Sequence, residues 1–485
     1  MNKVYEFKYE MKAKSIITSI LIIFLFACSS TKKPRSTDGL LAQTPPMGWN
    51  SFDSYGVYLH EEAAIANLEA FAEKLKPHGY EYYVIDAGWF GEFKLQEGTI
   101  YPAEKHAEKL NFNEFGLLQP SKTYFPNGLK PIIDRCHELG IKFGIHLMRG
   151  IPRAAVKVNT PVKGTKYFAQ DIADTTSICN WNHQNYGVDM SNPGAQEFYN
   201  SLINQMAEWG VDFLKYDDLV PFPEEIKGIA NAIAQCGRPI VFSLSPGGDV
   251  DPNHLEAFKR AQMLRVTPDI WDDQKGIDEC FEAWRKWQGK EQPGFWIDMD
   301  MIPFGQLQLM NLKPEGVQGD ESKGELQKKM EAGELTPFEL LAGKGFNRLS
   351  EFTKDQMYTF ITLRALSASP LMMGGDLPSL DDFSLKLITD KDVLECNQNG
   401  VMGSLVYEAE GIEIWKTPNK NNKEDGWIGI FNRNEEIKSF SLKRENLGLD
   451  AAESYKLQDV WNTSEVSSFD FEINPNGVVF IKYSK

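Results

Sequence analysis

The chain has 485 residues, of which 25% are charged and 42% hydrophobic, values close to globular averages that argue against general disorder and against a many-span membrane protein. A formal net charge of −17 argues against a nucleic-acid partner, because phosphate binding needs a basic face. The length exceeds one ordinary domain and accommodates a barrel of about 250 residues plus a smaller module.

Residues 1–28 read as a lipoprotein-type signal peptide. Lys12 and Lys14 precede the apolar run SIITSILIIFLFA, which is short for a bilayer span but suits a secretory h-region. Met11 opens a conventional signal of this kind, so the true start can lie there. The run ends in LFAC, similar to a bacterial lipobox, which makes Cys28 the lipidation residue; a plain cleaved signal is the alternative. Export to the periplasm or the cell surface follows, with membrane contact only through the N-terminal lipid. Residues 29–43 start with the polar stretch SSTKKPRSTDG and read as a flexible tether.

From residue 44, β-rich runs alternate with helical patterns, which argues for βα units around a parallel sheet. The predicted strands are PMGWN (46–50), YYVIDAG (82–88), KFGIHLM (142–148), DFLKYDD (212–218), IVFSLSP (240–246), QMLRVTP (262–268), FWIDMDM (295–301) and SASPLMMGG (367–375). Helices are predicted at EEAAIANLEAFAEKL, GLKPIIDRCHEL, PGAQEFYNSLINQMAEWG, PEEIKGIANAIAQ, GIDECFEAWRKWQ and KDQMYTFITLRAL, several with apolar residues at three-to-four spacing. Eight such units give a (β/α)₈ TIM barrel over residues 44–395, with its chemistry on the loops after the strand C-termini. Long segments follow the second, third and seventh strands and read as binding walls or lids; the charge run GDESKGELQKKMEAGEL in the last reads as a solvated face. From residue 396 to 485 alternating strands (GSLVYEA, GIEIWKT, GWIGIFNR, KSFSLKR, GVVFIKY) predict a C-terminal antiparallel β-sandwich domain, to which a packing role is assigned.

Apart from Cys28, the cysteines Cys136, Cys179, Cys236, Cys280 and Cys396 are scattered and odd in number, which suits buried thiols better than disulfides or a metal centre. The seven histidines do not cluster either, which gives a metal centre little support.

The acids at the strand ends carry the chemistry. Residues two apart share a strand face, so Phe213, Lys215 and Asp217 point one way, with Asp217 at the barrel mouth. The Lys215 ammonium favours the ionised carboxylate that a nucleophile needs, although a buried structural ion pair explains this stretch equally well. On the sixth strand Arg265, Thr267 and Asp269 share a parity, which brings a second acid to the same mouth. Two carboxylates flanking a sugar are the machinery of glycoside hydrolysis. Asp272 and Asp273 are rivals, but both equally suit the approach to the following helix. Asp298 and Asp300, Asp86, Trp89 and Trp49 gather at other strand ends, where carboxylates bind hydroxyl pairs and rings cover C–H surface.

On these residues the chain resembles glycoside hydrolase family 27, the α-galactosidase family, over about residues 44–485. TPPMGWNSFDSYG is similar to that family's TPPMGWNSW-type start, FLKYDDL to its LKYD nucleophile strand, LRVTPDI to its acid strand, and FWIDMDM to W-N-D-P-D-M. SASPLMMGGDL through LITDKDVLECNQNG is similar to the segment joining its eighth strand to the β-domain. The resemblance implies a retaining exo-glycosidase for terminal α-galactosides of oligo- or polysaccharides, with Asp217 as nucleophile and Asp269 as acid/base. It further implies that Lys215, Arg265, Asp86 and Asp300 bind substrate hydroxyls, that Trp49 walls the pocket, that Asp218 is not the nucleophile, and that no metal or organic cofactor takes part. Departures stand beside it. Ala87 occupies the place of a second acid, the third strand ends in HLMRGIPR rather than a serine and an acid, and the fifth reads SLSPGG. Those departures leave open a β-L-arabinopyranosidase, an α-N-acetylgalactosaminidase, or a non-catalytic sugar-binding protein. Arg149 and Arg153 near the rim suggest either recognition of an anionic substituent or neutralisation of nearby aspartates. Oligomeric state is not set by the sequence.

Overall fold

The structure is a computed structural model that describes residues 40–103, 107–246, 250–311 and 345–485. The signal, Cys28 and nearly all of the tether lie outside the described residues, as does the charge run at 319–335.

Eight short parallel strands form the inner sheet: β1 (Met47–Asn50), β2 (Tyr82–Ile85), β3 (Lys142–Met148), β4 (Phe213–Asp217), β5 (Val241–Leu244), β6 (Met263–Arg265), β7 (Trp296–Asp298) and β8 (Leu371–Met373). Their order is β7-β6-β5-β4-β3-β2-β1-β8, so each strand pairs with its sequence neighbour and β8 returns to β1. Closure comes just beyond β7, where Ile302 N donates to Met372 O at 2.8 Å and Gly374 N to Ile302 O at 3.0 Å. The protein is thus a (β/α)₈ barrel. Its outer helices are α1 (Glu61–Lys74), α2 (Lys130–Glu138), α3 (Pro193–Trp209), α4 (Pro223–Gln235), α5 (Gln274–Trp287), α6 (Lys354–Leu366), α7 (Asp382–Ile388) and α8 (Lys391–Gln398). Pro193 and Pro223 open α3 and α4, where a missing N–H costs nothing, and Thr353 with Gln356 closes a reciprocal cap on α6. Between β5 and β6 there is only a short helical turn, Leu255–Phe258.

The foot of the barrel interior is filled by Tyr82, Val84, Phe213, Val241, Met263, Met301 and Met372. Polar residues begin one pleat above. Several strands stop earlier than their apolar patterns, because the chain leaves extended geometry just past them: Asp218 and Asp300 adopt positive φ of 59° and 74°. Gly88, at φ 98°, supplies another such turn, and a Cβ there would stand 2.0 Å from Val57 O.

The segment after β2 carries the strand pair Gly91–Glu92 and Lys109–Leu110, and the segment after β3 a three-stranded antiparallel sheet built on Ile151–Pro152, Ala173–Ile178 and Asn185–Val188. Both are walls with structure of their own. The C-terminal β-sandwich pairs six antiparallel strands, beginning at Ser404–Ala409, with a two-stranded ribbon, Lys438–Ser441 and Asp470–Ile473. A boundary at 395/396 falls inside α8, so the strands of this domain start only after Gln398. Its core is Ile414, Ile428, Ile430, Leu447 and Ile481. Cys136, Cys179, Cys280 and Cys396 are buried and Cys236 half-buried, and all five are unbridged thiols.

Candidate active site

Strand parity brings Lys215 and Asp217 into the barrel interior, as the alternation in FLKYD predicts. Lys215 does not pair directly with Asp217, however. Its Nζ lies 2.7 Å from Asp86 Oδ2, which also accepts from Asn50 Nδ2 at 2.7 Å, while Asp86 Oδ1 accepts from Ala87 N at 2.7 Å. Burial alone would raise the Asp86 pKa, but the Lys215 ammonium and these donors hold it well below the carboxylate range. Lys215 in turn is raised by Asp86 and Asp217 against its own burial, so it stays a cation.

Asp217 is held by different groups. Asp217 Oδ2 lies 3.3 Å from His146 Nε2, and Oδ1 accepts from Asp218 N at 3.2 Å. Burial pushes the Asp217 carboxyl up, and the His146 hydrogen bond with the Arg265 and Lys215 charges outweighs it, leaving the pKa below the ordinary value. His146 was not singled out in the sequence. Its signal was parity: Gly144, His146 and Met148 share the inward face of β3.

Opposite this pair stands Arg265, whose Nη2 lies 2.9 Å from Asp269 Oδ1 and whose Nη1 lies 3.1 Å from Asp300 Oδ1. Asp300 Oδ2 accepts from Ile270 N at 2.9 Å, which fastens the loop carrying Asp269 to the end of β7. Arg265 feels Asp300, Asp269 and Asp217 together, so both candidate catalytic acids belong to one charged neighbourhood. Enclosure by protein pushes the Asp269 pKa up, and Asp300 and Asp217 add to this against Arg265. The Asp269 side chain is 60% exposed to the open mouth, so water screens part of these effects. Asp298 sits deeper; burial and Asp300 push its carboxyl up to about 6.

Two acids are better placed than their charge suggests. Asp273 caps α5 by accepting from Gly276 N at 2.8 Å, and Asp272 pairs with Arg348 at 2.5 Å, so neither competes with Asp269. A buried acid missed in the sequence is Asp53: among the described residues neither carboxyl oxygen has a hydrogen-bond partner, and burial with the nearby Asp300 raises its pKa well above the usual range. An acid in the middle of SFDSY carries no spacing signal that would mark it.

The structure corrects the placement of Trp49. Its ring is fully buried between sheet and helices, stacked on Tyr83 at 4.8 Å, with Nε1 donating to Gly375 O at 2.8 Å. The reason is parity: Asn50 and Gly48 take the inward face of β1, which turns Trp49 outward. The aromatic at the mouth is instead the half-buried Phe52, whose ring centroid lies 5.8 Å from Lys215 Nζ. Phe52 stands where the TPPMGWNSW-type start has its second tryptophan, which was the available signal.

Arg149 is likewise no rim residue. Its side chain is 1% exposed, donates from Nε to Asp218 Oδ2 at 3.0 Å and from Nη1 to Glu225 Oε1 at 2.7 Å, and lies 3.5 Å over the Phe222 ring. This matches neutralisation of neighbouring acids and leaves the guanidinium closed to an anionic substituent. Asp218 is thereby turned away from the mouth. Arg153 donates to Asn185 O at 3.1 Å and covers Tyr186.

The chain is similar to known proteins in sequence and fold. The sequence model described as Alpha galactosidase A matches residues 162–315, and that described as Alpha galactosidase C-terminal beta sandwich domain matches residues 409–483. The solved structure of a family 27 β-L-arabinopyranosidase from Geobacillus stearothermophilus is similar at a TM-score of 0.78, with 37% identity covering 92% of this chain and 97% of that one. A variant of the same enzyme, solved in complex with arabinose, superposes with a TM-score of 0.77, at 37% identity and with 92% of this chain and 98% of that one covered. The α-galactosidase of Cyamopsis tetragonoloba is 24% identical over 90% of this chain and 84% of its own length.

Replacing Arg149 by alanine strands Asp218 and Glu225 as buried, unpaired acids. The variant is expected to lose about 3–5 kcal/mol of unfolding free energy in urea titration, whatever substituent the substrate carries. A change below about 1 kcal/mol would contradict the closed ion cluster.

Proposed function

The chain belongs to glycoside hydrolase family 27, and on that premise we propose that it is a retaining exo-glycosidase for terminal galacto-configured pyranosides, with β-L-arabinopyranosides preferred over α-D-galactosides. The observation that carries this reading is the opposite pull on two acids around Arg265. Asp217 is held below the ordinary carboxylate pKa, as an attacking group requires, and Asp269 above it, as a proton donor requires.

In this reading Asp217 attacks the anomeric carbon while Asp269 gives its proton to the departing glycosidic oxygen, leaving a glycosyl ester on Asp217. Asp269, now ionised, takes a proton from water, whose oxygen displaces the ester and restores the Asp217 carboxylate. Two inversions retain the configuration. Lys215, Arg265 and Asp300 line one cavity and in this reading bind ring hydroxyls, with Asp86 holding Lys215 in place.

The sugar preference follows from chemistry at one position. β-L-arabinopyranose has the ring configuration of α-D-galactopyranose without its hydroxymethyl group. Ala87 occupies the place of a second rim acid and offers no hydrogen bond, and both Asp86 oxygens already have partners. A substrate with one hydroxyl fewer therefore forfeits less on leaving water. The similarity to the Geobacillus enzyme supports the same choice. A non-catalytic sugar-binding role fits less well, because binding does not require two acids of opposed proton affinity.

We also propose that the protein is an exported lipoprotein held by Cys28. The first described residues run along the foot of the barrel: Ala42 O accepts from Gly294 N at 3.0 Å and from Trp296 Nε1 at 2.7 Å, where β7 begins.

With 4-nitrophenyl glycosides, kcat/KM for the β-L-arabinopyranoside should exceed that for the α-D-galactopyranoside at least about tenfold, and Ala87→Asp should narrow the gap; absence of turnover across the panel would instead favour a binding protein. Asp217→Asn should lower kcat by more than about a thousandfold. In the wild type, kcat/KM should fall at low pH as Asp217 takes up a proton and at high pH as Asp269 loses its own, and Asp269→Asn should abolish the alkaline limb while hurting poor leaving groups most. Expressed in bacteria, Cys28→Ala should move the protein from the detergent-soluble membrane fraction to the aqueous one; an unchanged distribution sinks the anchor.

A further inference from the structure

Building on the reading of Asp217 as nucleophile, we propose that His146 is a positioning residue of the reaction: with the backbone N–H of Asp218, it clamps the nucleophilic carboxylate by both oxygens and fixes its plane toward the anomeric carbon.

The placement comes from the sheet. β3 and β4 pair in parallel with His146 opposite Lys215 and Met148 opposite Asp217, so the imidazole sits one pleat below the nucleophile on the neighbouring strand. Gly144, two residues earlier on the same face, leaves room at the barrel foot, since a Cβ there would stand 2.8 Å from Val84 Cγ2 and 3.0 Å from Phe213 Cβ. The His146 carbonyl accepts from Trp89 Nε1 at 2.9 Å, which anchors the strand at that level. From there Nε2 reaches Asp217 Oδ2 at 3.3 Å.

An ionised carboxylate only accepts hydrogen bonds, so the proton between them sits on Nε2. The other ring nitrogen, Nδ1, is buried and has no hydrogen-bond partner among the described residues. A buried histidine kept for structure alone would be expected to satisfy both nitrogens. Here the single bond that the ring makes is spent on the nucleophile. Rotation about the terminal torsion of an aspartate is otherwise broad. With Asp218 N–H on Oδ1 at 3.2 Å and His146 on Oδ2, that rotation is stopped before substrate arrives, and alignment of this kind is what an attacking group needs. In the glycosyl ester one of the two bonds persists, because the ester carbonyl oxygen still accepts.

The titratable and charged groups facing Asp217 are Lys215 on its own strand, His146 from β3, Arg265 from β6, Asp269 beyond β6, and Asp218 beside it, whose own partner is Arg149; Asp86 faces His146 from β2. Among them His146 supplies the side-chain hydrogen bond that favours the ionised nucleophile. Its removal therefore shifts the acid limb of activity to higher pH.

The test uses the full chain with an aryl glycoside that the wild type hydrolyses. His146→Phe, which keeps a ring and removes the donor, should lower kcat roughly tenfold to a hundredfold, leave KM within about threefold, and raise the acid limb. His146→Gln, which returns an N–H at the Nε2 position, should restore kcat to within about threefold and return the acid limb. Wild-type kcat and acid limb in His146→Phe overturn the proposal, as does equal loss in both variants. Nitrogen NMR of histidine-labelled protein reads the bond without turnover. A protonated Nε2 whose signal moves in Asp217→Asn supports the clamp, and an unprotonated Nε2 overturns it. Should the wild type hydrolyse no glycoside, the proposed activity falls, and the NMR result still decides whether the His146–Asp217 bond exists.

Discussion

Two buried cations, Lys215 and Arg265, let Asp86, Asp217, Asp269 and Asp300 share the top of one barrel. Each touches its partners directly, Lys215 on Asp86 at 2.7 Å and Arg265 on Asp269 and Asp300 at 2.9 and 3.1 Å. Carboxylates at this density repel one another and resist leaving water, so without the cations the mouth would either take up protons or swell. The cations also sort the acids. Asp86 and Asp217 lie toward Lys215 and are stabilised as anions, whereas Asp269 reaches past Arg265 into the open mouth, crowded by Asp300 and Asp217. Proton affinity thus follows from which strand each acid ends and how far it extends beyond it.

Much of this was legible because barrels are periodic. Alternation in FLKYD and LRVTPD put Lys215, Asp217, Arg265 and Asp269 at one end of one cylinder, and the helices at 223–235 and 354–366 coincide with their predicted limits. What the pattern did not contain was pairing across strands. It placed Lys215 beneath Asp217, while the sheet register and the reach of the side chain gave its contact to Asp86. It read Trp49 as a pocket wall, because a tryptophan at a strand end looks like a platform; only the phase of β1, set by Asn50 reaching Asp86, shows the indole turned outward. Arg149 was ambiguous for a similar reason, since Glu225, which fixes its role, lies on α4, 76 residues away.

Asp53 shows a different limit. It is buried beside Asp300 with neither oxygen hydrogen-bonded among the described residues, and the backbone at Gly374 packs so close that a Cβ there would stand 1.9 Å from Asp53 Oδ2. With no donor to it among the described residues, burial pushes its pKa well above the usual range and disfavours a further negative charge at the mouth.

The same accounting gives the C-terminal domain a place in the site although it contributes no residue to it. Asp269 rides on the loop between β6 and α5, and that loop is only as steady as its two ends. At one end Asp300 Oδ2 holds Ile270 N. At the other, α5 is pressed against the β-sandwich: Trp284 stacks on Trp415 at 3.8 Å, Arg433 lies 3.8 Å over Phe281, and its guanidinium meets Asp278 at 2.5 Å. Stacked, largely dry aromatic contacts resist sliding, because any shift exposes ring surface to water. The β-domain thus anchors the helix that steadies Asp269, while Asp217, at the end of a central strand with neighbours on both sides, needs no such outside support.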